Sequence, residues 1–296
     1  MTHESMTDES LSPPGKVPGE GRPRHRPRAA LAALLSVVAL FTAGDAEAQR
    51  GRSRGMMPID RNGVPTWEVD PEMPDELFTF VRLRYNSFYR GAAWATDFPD
   101  AELNLSYRLQ QLTSMRAHPE GKIIDIDDPA LFDHPFIYCI EPGDMALSPT
   151  EAATLRRYLL SGGFMMVDDF WGEDEWANFH NAFKEIFPDR ELQELPLEHP
   201  IFHCVYDLTE KPQVPSINNA MAGRSSGITY ERSDAREPHY KACFDDKGRI
   251  MMIVCHNTDL GDGWEREGED PWYFREFSEK KSYPLGINIL FYQFTH

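Results

Sequence analysis

Cysteine and positive charge are both scarce in this sequence. The chain of 296 residues has four cysteines and no C-x-x-C pair, so a structural zinc site of that type has no support. Its 30 lysines and arginines stand against 48 aspartates and glutamates, which gives a formal net charge of -18. Because phosphates and anionic lipid heads bind to basic surfaces, this charge argues against nucleic acid as a partner and against attraction to lipid.

Long apolar runs are scarce as well. The apolar stretch at residues 29–43 is shorter than the roughly 20 residues that a membrane-spanning helix needs. A basic segment with four arginines precedes it, and an A-x-A cleavage motif follows at residues 46–48. This pattern predicts a signal peptide, export to the periplasm or beyond the cell, and no stable membrane span after cleavage. Anchoring by an uncleaved N-terminal segment is the alternative.

Composition and patterning predict three parts of the chain. Residues 1–48 form a signal peptide with a polar N-terminal extension, residues 49–75 a linker, and residues 76–296 a single α/β domain. With 41% hydrophobic residues, the chain can bury a full globular core. Export permits disulfides, but all four cysteines lie in strand-like apolar runs, which favours buried, unpaired thiols at Cys139, Cys204, Cys243 and Cys255.

Short apolar runs alternate with helical patterns over residues 78–188. The first run, residues 78–85, alternates apolar side chains with Arg82 and Arg84, so one face of this strand is expected to be polar. Three further runs are continuously apolar, which is typical of interior strands in a sheet covered on both faces: residues 123–126, 136–140 and 164–167. The alternation predicts an α/β fold with a mostly parallel central sheet.

Local signals define the elements around these strands. Ser148 and Glu151 form a capping box at the start of a predicted helix. Residues 240–256 predict a β-hairpin near the C-terminus, and residues 256–265 an acidic, glycine-rich loop. Residues 282–296 are apolar on almost every side and predict a buried closing helix, with a strand as the alternative because of their β-branched content.

Two aspartates follow the apolar run at residues 164–167. Because ligands of open α/β sheets bind at the carboxyl ends of the strands, Asp168 and Asp169 are candidate catalytic residues. Two close carboxylates repel each other and raise one pKa, so one could act as an acid and the other as a base, or both could share a hard cation. The structural alternative is that they cap the helix that follows.

A histidine and several aromatic residues extend this set. His256 ends a predicted strand and is the third candidate catalytic residue, with Asn257 and Asp259 beside it as candidate ligand-binding residues. Four more candidates for ligand binding lie in predicted loops: Trp94, Asp97, Trp171 and Trp264. Loop tryptophans suit stacking on a sugar ring, although such residues often only cover the core. No cofactor is predicted, and the histidine and aspartates leave a divalent metal open.

Several motifs occur in an order that resembles a known family. F-V-R-L-R-Y is followed by W-x-x-D-x-P, Y-L-L-S-G-G-F-M-M-V-D-D, L-E-H-P-I-F and L-G-I-N-I-L-F-Y-Q-F-T-H. Together they resemble the exported bacterial family of domain of unknown function 4159, from about residue 78 to the C-terminus. The resemblance implies a three-layer, flavodoxin-like α/β sandwich similar to class I glutamine amidotransferases and to trehalose-utilisation-like proteins, and it implies no catalytic residues.

Three functions from different classes fit these observations. The first is an exported ligand-binding protein of the cell envelope, for a carbohydrate or another small molecule from the cell wall. The second is a hydrolase that uses the aspartates and His256 for acid–base or metal chemistry. The third is a non-catalytic module that binds an envelope protein. Cysteine-based glutaminase chemistry is not expected, because aspartates occupy the strand-to-helix turn where the amidotransferases carry their cysteine.

Overall fold

A computed structural model describes residues 60–69, 77–96 and 98–296 of the chain. The predicted signal peptide, its cleavage site and the boundaries at residues 48 and 75 lie outside the described residues, as does Asp97. Among the described residues, no helix combines the length and the apolar character that crossing a membrane requires.

A seven-stranded sheet lies at the centre of the fold. The described residues contain nine strands, in chain order β1 (Val81–Arg84), β2 (Asn86–Ser87), β3 (Lys122–Asp125), β4 (Phe136–Ile140), β5 (Met145–Ala146), β6 (Phe164–Asp168), β7 (Gln193–Glu194), β8 (His239–Phe244) and β9 (Ile250–His256). The large sheet has the order β3-β1-β4-β6-β9-β8-β7, and β2 pairs with β5 in a separate two-stranded sheet. The first five strands in this order are parallel, and β8 runs antiparallel to both of its neighbours.

Helices cover both faces of the large sheet. They are α1 (Asp100–Leu112), α2 (Pro149–Leu160), α3 (Gly172–Ile186), α4 (Ile217–Gly223), α5 (Leu260–Glu265), α6 (Pro271–Tyr273) and α7 (Tyr283–Thr295), with a π-helical segment between the last two. Apolar residues of α1, α5 and α7 pack with one face of the sheet, and those of α2 and α3 with the other. This arrangement confirms the predicted α/β class with a mostly parallel sheet.

The interior strands have the burial that continuous apolar runs predict. All five residues of β4 and all five of β6 are buried. Phe136, Tyr138 and Ile140 pack into the core below α1, α5 and α7, whereas Ile137 and Cys139 face α2 and α3. Because successive side chains of a strand point to opposite faces, only a strand covered on both sides has to be apolar throughout.

The start of α2 has the predicted capping box. The Ser148 hydroxyl accepts a hydrogen bond from the Glu151 backbone N–H at 3.2 Å, and the Glu151 carboxylate accepts one from the Ser148 N–H at 2.7 Å. Such reciprocal bonds satisfy two backbone N–H groups that the first turn of a helix leaves unpaired. They fix where α2 begins, directly after β5.

Three expectations from the sequence are wrong. Arg82 does not face solvent on β1 but is completely buried, where it pairs with Glu102 of α1. The region predicted as a loop at residues 256–265 contains helix α5, whose start is capped by Asp259. All four cysteines are unpaired as predicted, but Cys204 is exposed because its segment forms turns rather than a strand.

Candidate functional site

Three neighbouring strands end in backbone conformations that side chains rarely adopt. The residues directly after β4, β6 and β9 include Glu141, Asp169 and Asn257, whose φ angles are 48°, 55° and 60°. A non-glycine residue in this left-handed region costs about 1–2 kcal/mol, and such residues cluster at binding and active sites. All three lie at the carboxyl edge of the sheet, where the order of parallel strands predicts a ligand crevice.

A polar cavity of about 240 Å³ lies at this edge. We call it the acidic cavity, because six carboxyl groups and three guanidinium groups line it. The carboxyl groups belong to Glu141, Asp169, Glu175, Glu231, Asp259 and Asp262, and the guanidinium groups to Arg90, Arg232 and Arg266; Trp171 and Ser216 also contribute to the wall. Segments far apart in the sequence therefore converge on one site.

The arginines of the acidic cavity are already paired. Arg90 bridges Glu141, at 3.1 Å, and Glu175, which also accepts a hydrogen bond from Arg232. The Nε of Arg266 lies 3.2 Å from Oδ1 of Asp262. Each guanidinium thus has a carboxylate partner, and the lining has three more carboxyl groups than guanidinium groups.

Asp169 and Asp259 of this cavity both have a raised pKa. Burial raises the pKa of Asp169 well above its usual value, and the negative charges of Glu141, Asp168 and Glu231 raise it further. The indole N–H of Trp171 donates to Asp169 Oδ1 at 3.1 Å, which acts in the opposite direction. Burial also raises the pKa of Asp259, followed by the charge of Asp169. Each of the two groups therefore binds a proton more readily than an exposed aspartate does, and the charge of Asp169 disfavours ionisation of Asp259.

Asp259 is positioned by the start of α5. Its Oδ1 accepts a hydrogen bond from the Asp262 backbone N–H at 2.7 Å, and its own N–H donates to the Val214 carbonyl at 2.8 Å. Asp262 in turn accepts a hydrogen bond from the Ile217 N–H at 2.5 Å. The helix cap and the cavity wall are thus the same residues, so the geometry of the carboxyl groups is fixed by the backbone.

Asp168 points away from the acidic cavity. Its Oδ2 accepts hydrogen bonds from the Tyr138 hydroxyl and from the Gly261 N–H, both at 2.9 Å, and its side chain is fully buried. Burial raises the pKa of Asp168 to about 7. Adjacent residues of a strand face opposite sides, so only the second member of the predicted aspartate pair opens to the site.

His256 is not brought to the acidic cavity. The imidazole is buried against Phe170 and Trp176, with ring centroids 4.7 and 5.0 Å away, on the side of the sheet covered by α3. Its Nε2 lies 3.1 Å from the Gly172 carbonyl oxygen. Burial lowers the pKa of His256 to about 4, so the ring is neutral at pH 7. The expected encounter of the aspartate pair with His256 does not occur.

Asn257 ties the strand end to neighbouring segments. Its Oδ1 accepts a hydrogen bond from the Gly172 N–H at 2.9 Å, and its Nδ2 donates to the Glu237 carbonyl at 3.0 Å. With both amide groups paired and 3% of its surface exposed, Asn257 supports the turn rather than the cavity lining.

The predicted tryptophans have different surroundings. Trp171 is 4% exposed and lines the acidic cavity beside Asp169. Trp94 is half-buried and borders a different cavity, near Arg84. The predicted loop position of Trp264 is wrong: it lies in α5, fully buried against Phe80 and Tyr138. A buried indole at that place fills the core and does not reach either cavity.

Several residues of the acidic cavity were not predicted from the sequence. Glu141 directly follows the apolar run of β4 just as the aspartate pair follows β6, so the same rule about strand ends could have identified it. Arg90 and Arg232 lie in irregular segments with no periodic pattern, and only the folded chain shows that both reach Glu175.

In residues 60–69, 77–96 and 98–296, no group of three or more histidine, cysteine, aspartate or glutamate side chains could hold a metal ion. The acidic cavity can instead offer hydrogen-bond acceptors from its carboxylates and donors from its protonated carboxyl groups and from Trp171.

The chain matches a known protein family over most of its length. A family model described as Domain of unknown function (DUF4159) matches residues 79–294, which include the whole central sheet and every residue of the acidic cavity. No curated protein matches the chain.

Proposed function

The chain belongs to the DUF4159 family, and from this premise and the acidic cavity we propose that it is an exported envelope protein that binds a small neutral or cationic polyhydroxylated ligand, such as a sugar or amino sugar. The observation that carries the proposal is the charge of the cavity: six carboxyl groups face three guanidinium groups that are already paired. An anionic ligand would meet repulsion, whereas hydroxyl or ammonium groups could donate to the carboxylates.

The size of the cavity supports a small ligand. Sites for drug-sized molecules usually enclose about 300–1,000 Å³, and this one is smaller, about 240 Å³. A single sugar ring with several hydroxyl groups matches both the volume and the density of hydrogen-bonding side chains. Carboxyl groups that hold a proton can donate as well as accept, which suits hydroxyl groups that do the same.

We also propose a specific fold for the α/β domain and an exported location for the protein. The parallel order β3-β1-β4-β6-β9 corresponds to the order 2-1-3-4-5 of flavodoxin-like sheets. This order, with the β8–β9 hairpin beside it and Asp169 in the turn from β6 to α3, supports a three-layer, amidotransferase-like sandwich. Export rests on the basic and apolar N-terminal pattern with its cleavage motif, and N-terminal sequencing of the mature protein should begin at Gln49.

Replacing Asp169 or Asp259 with asparagine should weaken ligand binding about 10- to 100-fold, because the amide N–H group that replaces a carboxyl oxygen cannot accept a hydrogen bond from the ligand, and a buried donor left unpaired costs about 1–3 kcal/mol. The three test ligands are glucosamine, N-acetylglucosamine and galacturonic acid. Thermal shifts would first show which of them stabilise the protein, and calorimetric titration would then measure their affinities. Asp133→Asn, an exposed carboxyl at the opposite edge of the sheet, is the matched control.

The first two sugars should bind the wild-type protein, and the anionic galacturonic acid should not. Preferential binding of galacturonic acid would contradict the proposal, as would equal affinities for Asp169→Asn and Asp133→Asn. If no sugar binds the wild type, the cavity is not a sugar site and the module that binds an envelope protein becomes the better reading.

A hydrolase is a second candidate, favoured by the interaction between Asp169 and Asp259. Since the charge of one raises the pKa of the other, the pair can share one proton. The protonated carboxyl would donate its proton to the leaving oxygen of a glycosidic bond as that bond breaks. The ionised carboxyl would take a proton from the water that adds to the sugar carbon.

Hydrolysis by this pair should show a bell-shaped dependence of kcat/KM on pH, because activity requires one protonated and one ionised carboxyl group. Release of reducing sugar from the β-1,4-linked tetramer of N-acetylglucosamine would be measured across pH. Asp169→Asn and Asp259→Asn should each remove one limb of the profile together with most of the activity. Unchanged activity in both variants would exclude this role.

A further inference from the structure

A second polar cavity lies beside the acidic cavity, at the carboxyl ends of β1 and β3. It encloses about 420 Å³, and we call it the Trp94 cavity after the aromatic residue in its wall. Its other lining residues include Arg84, Asn86, Gly91, Asp127 and Glu151. No part of the proposed function uses this cavity.

One loop, residues 86–96, borders both cavities. Arg90 and Thr96 line the acidic cavity, whereas Gly91 and Trp94 line the Trp94 cavity. The two cavities are therefore separated by the width of one loop, and both lie at the edge of the sheet where parallel strands end. A ligand longer than one ring could cross the loop and contact both.

Hydrogen bonds hold this loop in place from two sides. The Asp144 carboxylate accepts hydrogen bonds from the Tyr89 and Arg90 N–H groups, at 2.7 and 2.6 Å. The fully buried Arg82 donates to the carbonyl oxygens of Trp94 and Thr96. The backbone on either side of Gly91 is thus fixed, and the aromatic side chains of the loop are presented at defined positions.

The side chains around Trp94 have the character of a sugar site. The Arg84 guanidinium lies 5.6 Å from the centroid of the Trp94 ring and pairs with Asp125. Asp127 and Glu151 add carboxylates to the wall. An aromatic ring next to planar polar groups offers a sugar both an apolar contact surface and hydrogen bonds to its hydroxyl groups.

The same loop exposes two aromatic rings. Phe88 is 61% exposed and Tyr89 is 93% exposed, with ring centroids 6.2 Å apart. Adjacent exposed rings form an apolar patch, and apolar patches rimmed by polar residues mark interaction sites, so this pair next to Arg90 favours contact with a ligand that extends out of the acidic cavity.

From these observations we infer that the crevice binds an oligosaccharide. One terminal sugar occupies the acidic cavity, the chain crosses the loop at residues 86–96, and a further sugar contacts Trp94 in the second cavity. The inference rests on the proposed function, since the terminal sugar binds where the proposed ligand does, but it adds a second subsite and a minimum ligand length.

Removing the Trp94 ring should weaken binding of an oligosaccharide without changing the binding of a single sugar. Affinities for N-acetylglucosamine and for its β-1,4-linked tetramer would be measured by calorimetry with the full chain and with Trp94→Ala. We expect Trp94→Ala to bind the tetramer about tenfold more weakly, as loss of an aromatic contact predicts, and the single sugar within about twofold of wild type.

Additional variants make the experiment robust to misfolding. Asp127→Ala changes an exposed side chain of the same cavity, and Trp94→Phe keeps an aromatic ring and should recover most of the affinity. Phe132→Ala, an exposed ring outside both cavities, is the control and should behave as wild type.

Three results would count against the inference. Equal affinities of wild type for the single sugar and the tetramer would remove the second subsite. If Trp94→Ala and Asp127→Ala each weakened binding of the single sugar and of the tetramer by the same factor, the effect would be a general structural one. Either result leaves the proposed function intact, whereas failure of the wild type to bind any of these sugars would overturn the proposed function and the inference together.

Discussion

Replacing Arg82 with leucine is expected to lower the free energy of unfolding by about 3–5 kcal/mol, because the change leaves a buried charge without its partner. Neither Arg82 nor Glu102 has any exposed side-chain surface, and the guanidinium donates to both oxygens of the carboxylate. Leucine fills part of the space but removes every donor. Glu102 would then have to take up a proton or draw water into the core.

The same substitution should also loosen the loop that separates the two cavities. Arg82 holds the carbonyl oxygens of Trp94 and Thr96, and its guanidinium also lies 5.5 Å from the centroid of the Tyr138 ring. We therefore expect ligand binding in the acidic cavity to weaken at temperatures where the variant is still folded. Urea unfolding at pH 7 would measure the loss of stability, and calorimetric titration the loss of affinity.

An exposed arginine two residues away is a suitable control. Arg84 pairs with Asp125, but the two side chains are 47% and 40% exposed, and exposed pairs contribute about 0–1 kcal/mol. Arg84→Leu should therefore change the free energy of unfolding much less than Arg82→Leu. The double variant Arg82→Leu/Glu102→Leu should be more stable than Arg82→Leu alone, because it removes both buried charges. If Arg82→Leu and Arg84→Leu lowered the free energy of unfolding by the same amount, burial of the Arg82–Glu102 pair would not be the cause of the loss.

Arg82 also shows where sequence patterning fails. An alternating strand predicts that Arg82 and Arg84 share a polar face, and Arg84 does face solvent. β1, however, is an interior strand of a sheet with helices on both faces, and Val81, Arg82 and Leu83 are all buried. A charged residue is tolerated there only because α1 supplies Glu102 from a position 20 residues later, and periodicity within the strand contains no information about that partner.

Elements specified by local interactions were predictable. The capping box at Ser148 and the apolar runs of β4 and β6 depend on residues close in sequence, and the structure has them where the sequence indicates. The helix α5 was missed because two of its six residues are glycines, which disfavour helices in isolation. Its cap, Asp259, and the contact of Gly286 with Trp264 supply the stability that helix propensity does not.

The candidate site was only partly predictable for a similar reason. Asp169 and Asp259 follow strands of a parallel sheet, and the rule about carboxyl ends places both at one edge. His256 follows the same rule but packs on the other side of the sheet, because alternation along β9 directs its ring toward Phe170. The pairing of Arg90 and Arg232 with Glu175 joins three segments and could not be read from any of them alone.

Asp168→Asn should change how stability depends on pH. Burial raises the pKa of Asp168 to about 7 in the folded chain, above the roughly 3.9 expected when it is unfolded. Between these values the folded state holds a proton that the unfolded state has lost, so this residue makes stability fall as pH rises from about 4 to about 7. At pH 8 the penalty approaches about 4 kcal/mol, since each pKa unit corresponds to roughly 1.4 kcal/mol.

Asparagine removes this penalty while its carbonyl oxygen can keep the hydrogen bonds from Tyr138 and Gly261. Its amide N–H groups would lie where Asp168 Oδ1 has no partner among the described residues, which costs about 1–3 kcal/mol. The variant should therefore be about 1–3 kcal/mol more stable than wild type at pH 8 and equally or less stable at pH 4. Urea unfolding at both pH values would measure the difference.

The comparison isolates Asp168 from other titrating groups. His256, whose lowered pKa makes stability fall as pH drops below about 6.5, titrates in both proteins and cancels in their difference. Asp133→Asn, at an exposed position, should show no pH-dependent change relative to wild type. If the difference between Asp168→Asn and wild type were the same at pH 4 and pH 8, Asp168 would have to be ionised in the folded chain throughout that range. The hydrogen bonds from Tyr138 and Gly261 would then outweigh the cost of burying its charge.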